Sequence, residues 1–176
     1  MIYYQISEIF TLIPQQFYSV EEGEITLQKM FGINTSYNVQ STKLDEYNAV
    51  LCYAVHQDIL KDINIGDCVY PFIGKLLSMV SNSGNFNNAL FHYNKELKLC
   101  HIIICENKEL KIANCFKCDN FETAIYFMLL SVKKLNMNPK QTIIRVFSPI
   151  SMSENQMINK FFRGTQLNTL DNSDIL

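Results

Sequence analysis

Four sets of side chains in this sequence have the chemistry of a catalytic or metal site. They are the spaced thiols Cys115 and Cys118, the adjacent Cys100 and His101, the carboxylates Asp119 and Glu122, and the separate histidines His56 and His92. Cys115-Phe116-Lys117-Cys118 has the spacing of half a zinc site. Tetrahedral zinc takes four ligands, however, and no second Cys-x-x-Cys or His-x-x-x-His follows. The pair closes a strand-like run, where buried thiols are ordinary core residues. Cys100 beside His101 has the composition of a nucleophile and its base, but neighbours on a strand point to opposite faces and cannot exchange a proton. Asp119 and Glu122 stand where a helix begins, and the helix dipole favours carboxylates there. His56 also opens a helix, in a capping position. Ser78, Ser81 and Ser83 lack a Gly-x-Ser-x-Gly elbow. These patterns assign no catalytic, cofactor-binding or metal-ligating residue, and no cofactor is expected.

The elements that would position such groups are those of an ordinary globular chain. Its 176 residues are 48% hydrophobic and 18% charged, enough to bury a real core. A net charge of -2 and a pI near 5.9, with Lys and Arg scattered, give no electrostatic footprint for nucleic acid, so no nucleic-acid partner is expected. No apolar run approaches the ~20 residues of a membrane span, and the opening residues lack a basic segment followed by an apolar one. A cytoplasmic protein without a membrane span is expected, with its six cysteines reduced.

Periodicity orders the elements. Ser7 to Ile13 reads as a strand ending at Pro14, followed by a helix with Ser19 and Glu22 as a capping-box pattern and Gly32 as its stop. Ser36 to Leu44 alternates like an edge strand, and Ala49 to Val55 is apolar enough to be covered on both faces. A short helix from His56 to Ile63, a brief strand near Cys68 and a helix opened by Pro71 follow. Ser81 to Asn85 is the clearest linker and is expected to divide the chain. Beyond it, Phe86–Tyr93, Leu97–Cys105 and Leu110–Phe116 read as an antiparallel meander, because the connections between them are short. Asp119 or Asn120 caps a helix to Leu135 that is apolar almost all round. A strand from Thr142 to Phe147 and a helix capped by Ser153 with Gln156 complete the series, and Thr165 onward reads as a polar tail. The expected organisation is therefore a first lobe over residues 1–84, a second over 85–164 and a flexible tail over 165–176. The fold class is α/β, with mixed sheets and flanking helices.

This order of elements, with Phe10-Thr11-Leu12-Ile13-Pro14 and the run Ala54-Val55-His56-Gln57-Asp58-Ile59-Leu60, resembles an uncharacterised family from Bacteroidetes. The resemblance implies an actin-like ATPase fold, built on ribonuclease-H-like lobes, with an incomplete first lobe. More distantly it resembles the actin-like ATPases of pilus assembly. In nucleotide-binding members of that fold, the turn after the first strand carries an Asp-x-Gly motif, in which Asp holds the metal and Gly lets the backbone reach phosphate. His92 and Asn94 stand at the matching positions, and no glycine lies between Asn85 and Gly164. A two-metal nuclease would need carboxylates on the strands Phe86–Tyr93 and Thr142–Phe147, which have none. The first expectation is a non-catalytic scaffold or protein-interaction module with a degenerate nucleotide site. It would meet a protein partner or a second copy through the apolar helical face of Tyr126, Phe127, Met128 and Leu129, with Phe161 and Phe162 nearby. The alternatives are an ATP-binding protein with a non-standard cleft site and a small metal-dependent enzyme built on Cys115 and Cys118.

Overall fold

In the computed structural model, which describes residues 2–64, 66–81, 87–106 and 109–168, the expected elements appear in the expected order, with one further strand before the first of them and one after the last. They are β1 (Ile2–Gln5), β2 (Phe10–Pro14), α1 (Val20–Phe31), β3 (Tyr37–Leu44), β4 (Ala49–His56), α2 (Gln57–Asp62), β5 (Cys68–Pro71) and α3 (Phe72–Ser81). Then come β6 (Asn87–Asn94), β7 (Leu99–Glu106), β8 (Glu109–Lys117), α4 (Phe121–Lys134), β9 (Ile143–Val146), α5 (Met152–Phe161) and β10 (Gly164–Leu167). The described chain divides within α3, between Lys75 and Leu76, into two units. Most of the linker read from the sequence, residues 82–85, lies outside the described residues.

The first unit takes its order from α1 and β4. Ser19 accepts a hydrogen bond from the Glu22 backbone N–H at 3.0 Å, which satisfies one of the amides a helix start leaves open. Gly32 ends the helix at φ +64°, a left-handed conformation that costs glycine little. Leu27 of α1 packs with Ile13, Val50, Cys52 and Ala54 as one core. β4 is the middle strand of an antiparallel sheet in the order β2-β4-β3 and is buried from Ala49 to Val55, as its unbroken apolar run requires. A separate parallel pair joins β1 to β5.

Gly74 of α3 carries a prediction whose sign depends on two opposed effects. Replacing an interior helical glycine by alanine ordinarily gains about 1 kcal/mol. A Cβ on Gly74, however, would overlap Cε1 of Tyr70 and stand 3.0 and 3.1 Å from that ring's Cζ and Cδ1. The ring has little room to give, being held edge-on between Tyr4 at 6.1 Å and Tyr53 at 5.9 Å. Overpacking of this kind costs about 1–3 kcal/mol, so Gly74→Ala should lower the urea midpoint of unfolding. A raised midpoint would mean that the tyrosine cluster yields.

The second unit is a five-stranded sheet in the order β10-β9-β6-β7-β8. The meander β6-β7-β8 is antiparallel, whereas β9 joins β6 and β10 joins β9 in parallel. α4 contributes Phe121, Ala124, Ile125, Met128 and Val132, and α5 contributes Ile158, to a core against Ala89, Phe91, Ile102, Ile104, Ile144 and Val146. Asn120 is the N-cap of α4, accepting from the Thr123 N–H at 2.8 Å. Two expectations change here. α5 begins one turn fraction earlier than read: its capping box is Ser151 with Glu154, and the Ser153 hydroxyl instead lies 3.0 Å from that of Ser151. Thr165–Leu167, expected to open the tail, forms β10 together with Gly164 because its backbone completes the ladder on β9, while Thr165 bonds to Asn155 and Asn159 of α5. Residues 169–176 lie outside the described residues. Among those described, no helix is long and apolar enough to cross a membrane.

Candidate functional site

The β6–β7 turn is where the resemblance places a phosphate-binding loop, and its local geometry follows from its residues. Asn94 closes β6 by accepting the Leu97 N–H on its side-chain oxygen at 2.8 Å. Lys98 then takes φ +53° to bring the chain back into β7, and its carbonyl accepts the Cys118 N–H at 2.8 Å. A phosphate cradle needs several amides free to converge on one anion and a glycine where the chain passes the phosphate. In this turn the Leu97 amide is engaged internally and every residue carries a Cβ. The two lysines of the turn are also committed to carboxylates. Lys95 pairs with Glu154 at 3.0 Å and Lys98 with Asp119 at 3.2 Å. The Glu154 carboxyl sits below its usual range even though its burial acts the other way, because the Ser151 N–H and Lys95 both bond to it.

His92, which the resemblance matches to the motif's aspartate, lies within the sheet. Its ring is 6% exposed and stands directly across the hairpin from His101, with ring centroids 5.7 Å apart. Burial, with His101 adding to it, pushes the His92 imidazole down to about 3, so the ring is neutral at physiological pH. A neutral buried imidazole cannot do what an ionised aspartate does for a nucleotide-bound cation.

The sheet's register also decides what the cysteines can do. Cys100 and His101 take opposite faces, as alternation requires: Cys100 belongs to the core under α4 and His101 faces His92. Cys115 is the β8 partner of His101, whereas Cys118, just beyond the strand, enters the α4 core. The Cys-x-x-Cys pair is thus split between faces. The neighbour of Cys118 is Cys100, whose thiol rises well above its usual range through burial and through its hydrogen bond to Cys118. The same bond lowers Cys118. Sequence spacing could not find this pair, since it is a diagonal contact across two strands whose signal is the hairpin register, Cys100 opposite Phe116. Among the described residues no group of three or more His, Cys, Asp or Glu side chains is placed to hold a metal.

The remaining candidates occupy ordinary structural positions. Asp119 is exposed beside Lys98, and Glu122 lies in the first turn of α4. His56 caps α2 by accepting the Asp58 N–H at 3.3 Å. Arg145 lies over the Phe147 ring at 5.2 Å. On α4, Met128 is fully buried and Phe127 stacks on Phe116 at 4.5 Å. Of that helix's apolar excess, Tyr126 stays 59% exposed, and on α5 Phe161 stays 42% exposed while Phe162 is buried.

No curated protein matches the chain significantly. Among solved structures, a Bacteroides thetaiotaomicron protein with an actin-like ATPase fold and unknown function aligns at a TM-score of 0.77 and 22% identity, over 93% of this chain and 66% of that one. The mixed α/β architecture is thus an actin-like ATPase fold. A PilM–PilN type IV pilus biogenesis complex aligns at a TM-score of 0.48 and 7% identity, over 92% and 65% of the two chains, a likeness too low to argue from. The chain spans about two thirds of the length of these neighbours. A family model described as protein of unknown function, DUF3822, matches residues 2–163, and the chain belongs to that family.

Proposed function

We propose that this chain is a non-catalytic actin-like scaffold or protein-interaction module that has kept the fold and lost the nucleotide site. The observation that carries this reading is the β6–β7 turn. Where the fold would bind phosphate and metal, this chain has a side-chain-closed turn without glycine and a buried, neutral His92. The surface left for a partner on the helical side is Tyr126 and Phe161, since Met128 and Phe162 serve the unit's own core.

Thermal unfolding with and without millimolar ATP and magnesium tests the reading. A ligand that binds only the folded state, at 100 times its dissociation constant, adds about 2.7 kcal/mol, a rise of roughly 5–10 °C for a chain of this size. We expect no shift. A magnesium-dependent rise of several degrees would overturn the scaffold and establish a non-standard nucleotide site.

A further inference from the structure

The sheet edges of this protein are protected unequally. An open edge presents unpaired N–H and C=O groups to any extended chain, and folds usually blunt it with short strands, proline, bulges or charge. β1, β5 and β10 have four residues each, with Pro71 in β5, and β2 has five and ends at Pro14. β8 is longer, but its pairing slips beside Ile104 and Cys105, and it carries Glu109, Lys111 and Lys117. β3 has eight residues in unbroken register with β4, no proline and one charge, Lys43. Among the described residues its outer side has no neighbouring strand.

The direction of its free groups follows from one hydrogen bond. The Gln57 N–H donates to the Ser36 carbonyl at 2.8 Å, continuing the β3–β4 register by one step. In an antiparallel ladder the bonded residues alternate, so Asn38, Gln40, Thr42 and Leu44 turn their backbone groups to β4. Tyr37, Val39, Ser41 and Lys43 turn theirs outward, although the Tyr37 N–H is taken by the Asn34 carbonyl at 3.1 Å, so that residue offers its carbonyl alone. The side chains of Tyr37 and Val39 pack on the α1 side, and Ser41 shares that face through its 2.7 Å bond with the Tyr18 hydroxyl.

We infer that β3 pairs antiparallel with β3 of a second copy of this chain, about a two-fold axis through Gln40, merging two sheets into one. That register matches outward-facing residues with each other, Tyr37 with Lys43 and Val39 with Ser41, and sets no like charges opposite one another. It also gives Lys43 a destination. Beside the edge, on the α1 side, a groove of about 590 Å3 is lined by Glu24, Gln28, Ile33, Asn34, Tyr37 and Val39. Lys43 of the second copy, opposite Tyr37 and on its face, reaches into that groove toward Glu24. The pairing is independent of any nucleotide site and uses a different surface from Tyr126 and Phe161.

Sedimentation of the full chain over a range of concentrations tests this pairing. We expect a reversible monomer–dimer equilibrium. Ser41→Pro removes an outward N–H without touching the β4 ladder and should abolish the dimer while far-UV circular dichroism stays unchanged. Lys43→Glu should weaken it roughly tenfold, and Lys43→Glu combined with Glu24→Lys should restore it, an exchange that a merely misfolded variant cannot mimic. A monomer at every concentration overturns the inference. So does a dimer that Ser41→Pro and Lys43→Glu both leave intact.

Discussion

Acidification from about pH 6.5 toward pH 3 should cost this protein about 4–5 kcal/mol through His92 alone. The neutral ring is buried and its folded-state value is about 3, against 6.5 when solvated. Between those values the unfolded chain binds a proton that the folded chain refuses, so stability falls as pH falls through this window and is flat above it. Each unit of separation is worth about 1.4 kcal/mol, which sets the total. Carboxylates held below their usual range, such as Asp58 and Glu154, add their own loss, but only as pH falls below their ordinary values of 3.8 and 4.5. The contribution of His92 is therefore isolated by comparison with His92→Phe, which fills the site without a titrating group. Urea unfolding followed by circular dichroism suits a chain that has no tryptophan. The wild-type midpoint should drop steeply from pH 6.5 to pH 4, and the variant's much less. Parallel pH profiles for the two proteins would show that the imidazole is not excluded from protonation in the fold.

That pair marks the limit of what alternation along a strand can reveal. The apolar run at β4, the Ser19 and Gly32 ends of α1 and the three short-looped strands of the second unit are local patterns, and each forms the element its residues favour. That positions 92 and 94 carry histidine and asparagine was legible too, because it is a matter of residue type alone. Contacts across strands were not legible. Cys118 meets Cys100 rather than Cys115 because faces and register, not spacing along the chain, decide which thiols share a core. β10 escaped for a related reason, since Gly-Thr-Gln-Leu has no hydrophobic alternation and is held by the β9 ladder and by Thr165. The cap of α5 was displaced by two residues because Ser151 and Ser153 offer the same hydroxyl. Only Ser151 has a carboxylate three residues on to return the bond, Glu154 to the Ser151 N–H at 2.6 Å.

Truncating Phe91 should destabilise the second unit more than any exposed aromatic can. Phe91 is fully buried in β6, opposite Ile102 on β7 and beside Val146 on β9, and it meets Phe121 of α4 edge to face at 5.8 Å. It therefore fills the space where three strands and the principal helix converge. Phe91→Ala loses the transfer free energy of the ring and leaves a cavity that strands bonded on both sides cannot close, a cost of about 3–5 kcal/mol. Against a total stability of order 5–15 kcal/mol, that is about a fifth of what holds the fold at the least, and most of it at the low end. Phe161→Ala should cost less than about 1 kcal/mol, because its ring is 42% exposed and leaves little void. Denaturant midpoints of the two variants, compared with wild type at equal slope, measure both. Similar losses at the two positions would mean that α4 does not close over the sheet as the core requires. A large loss at Phe91 with Phe161 tolerated leaves Phe161 available for a partner.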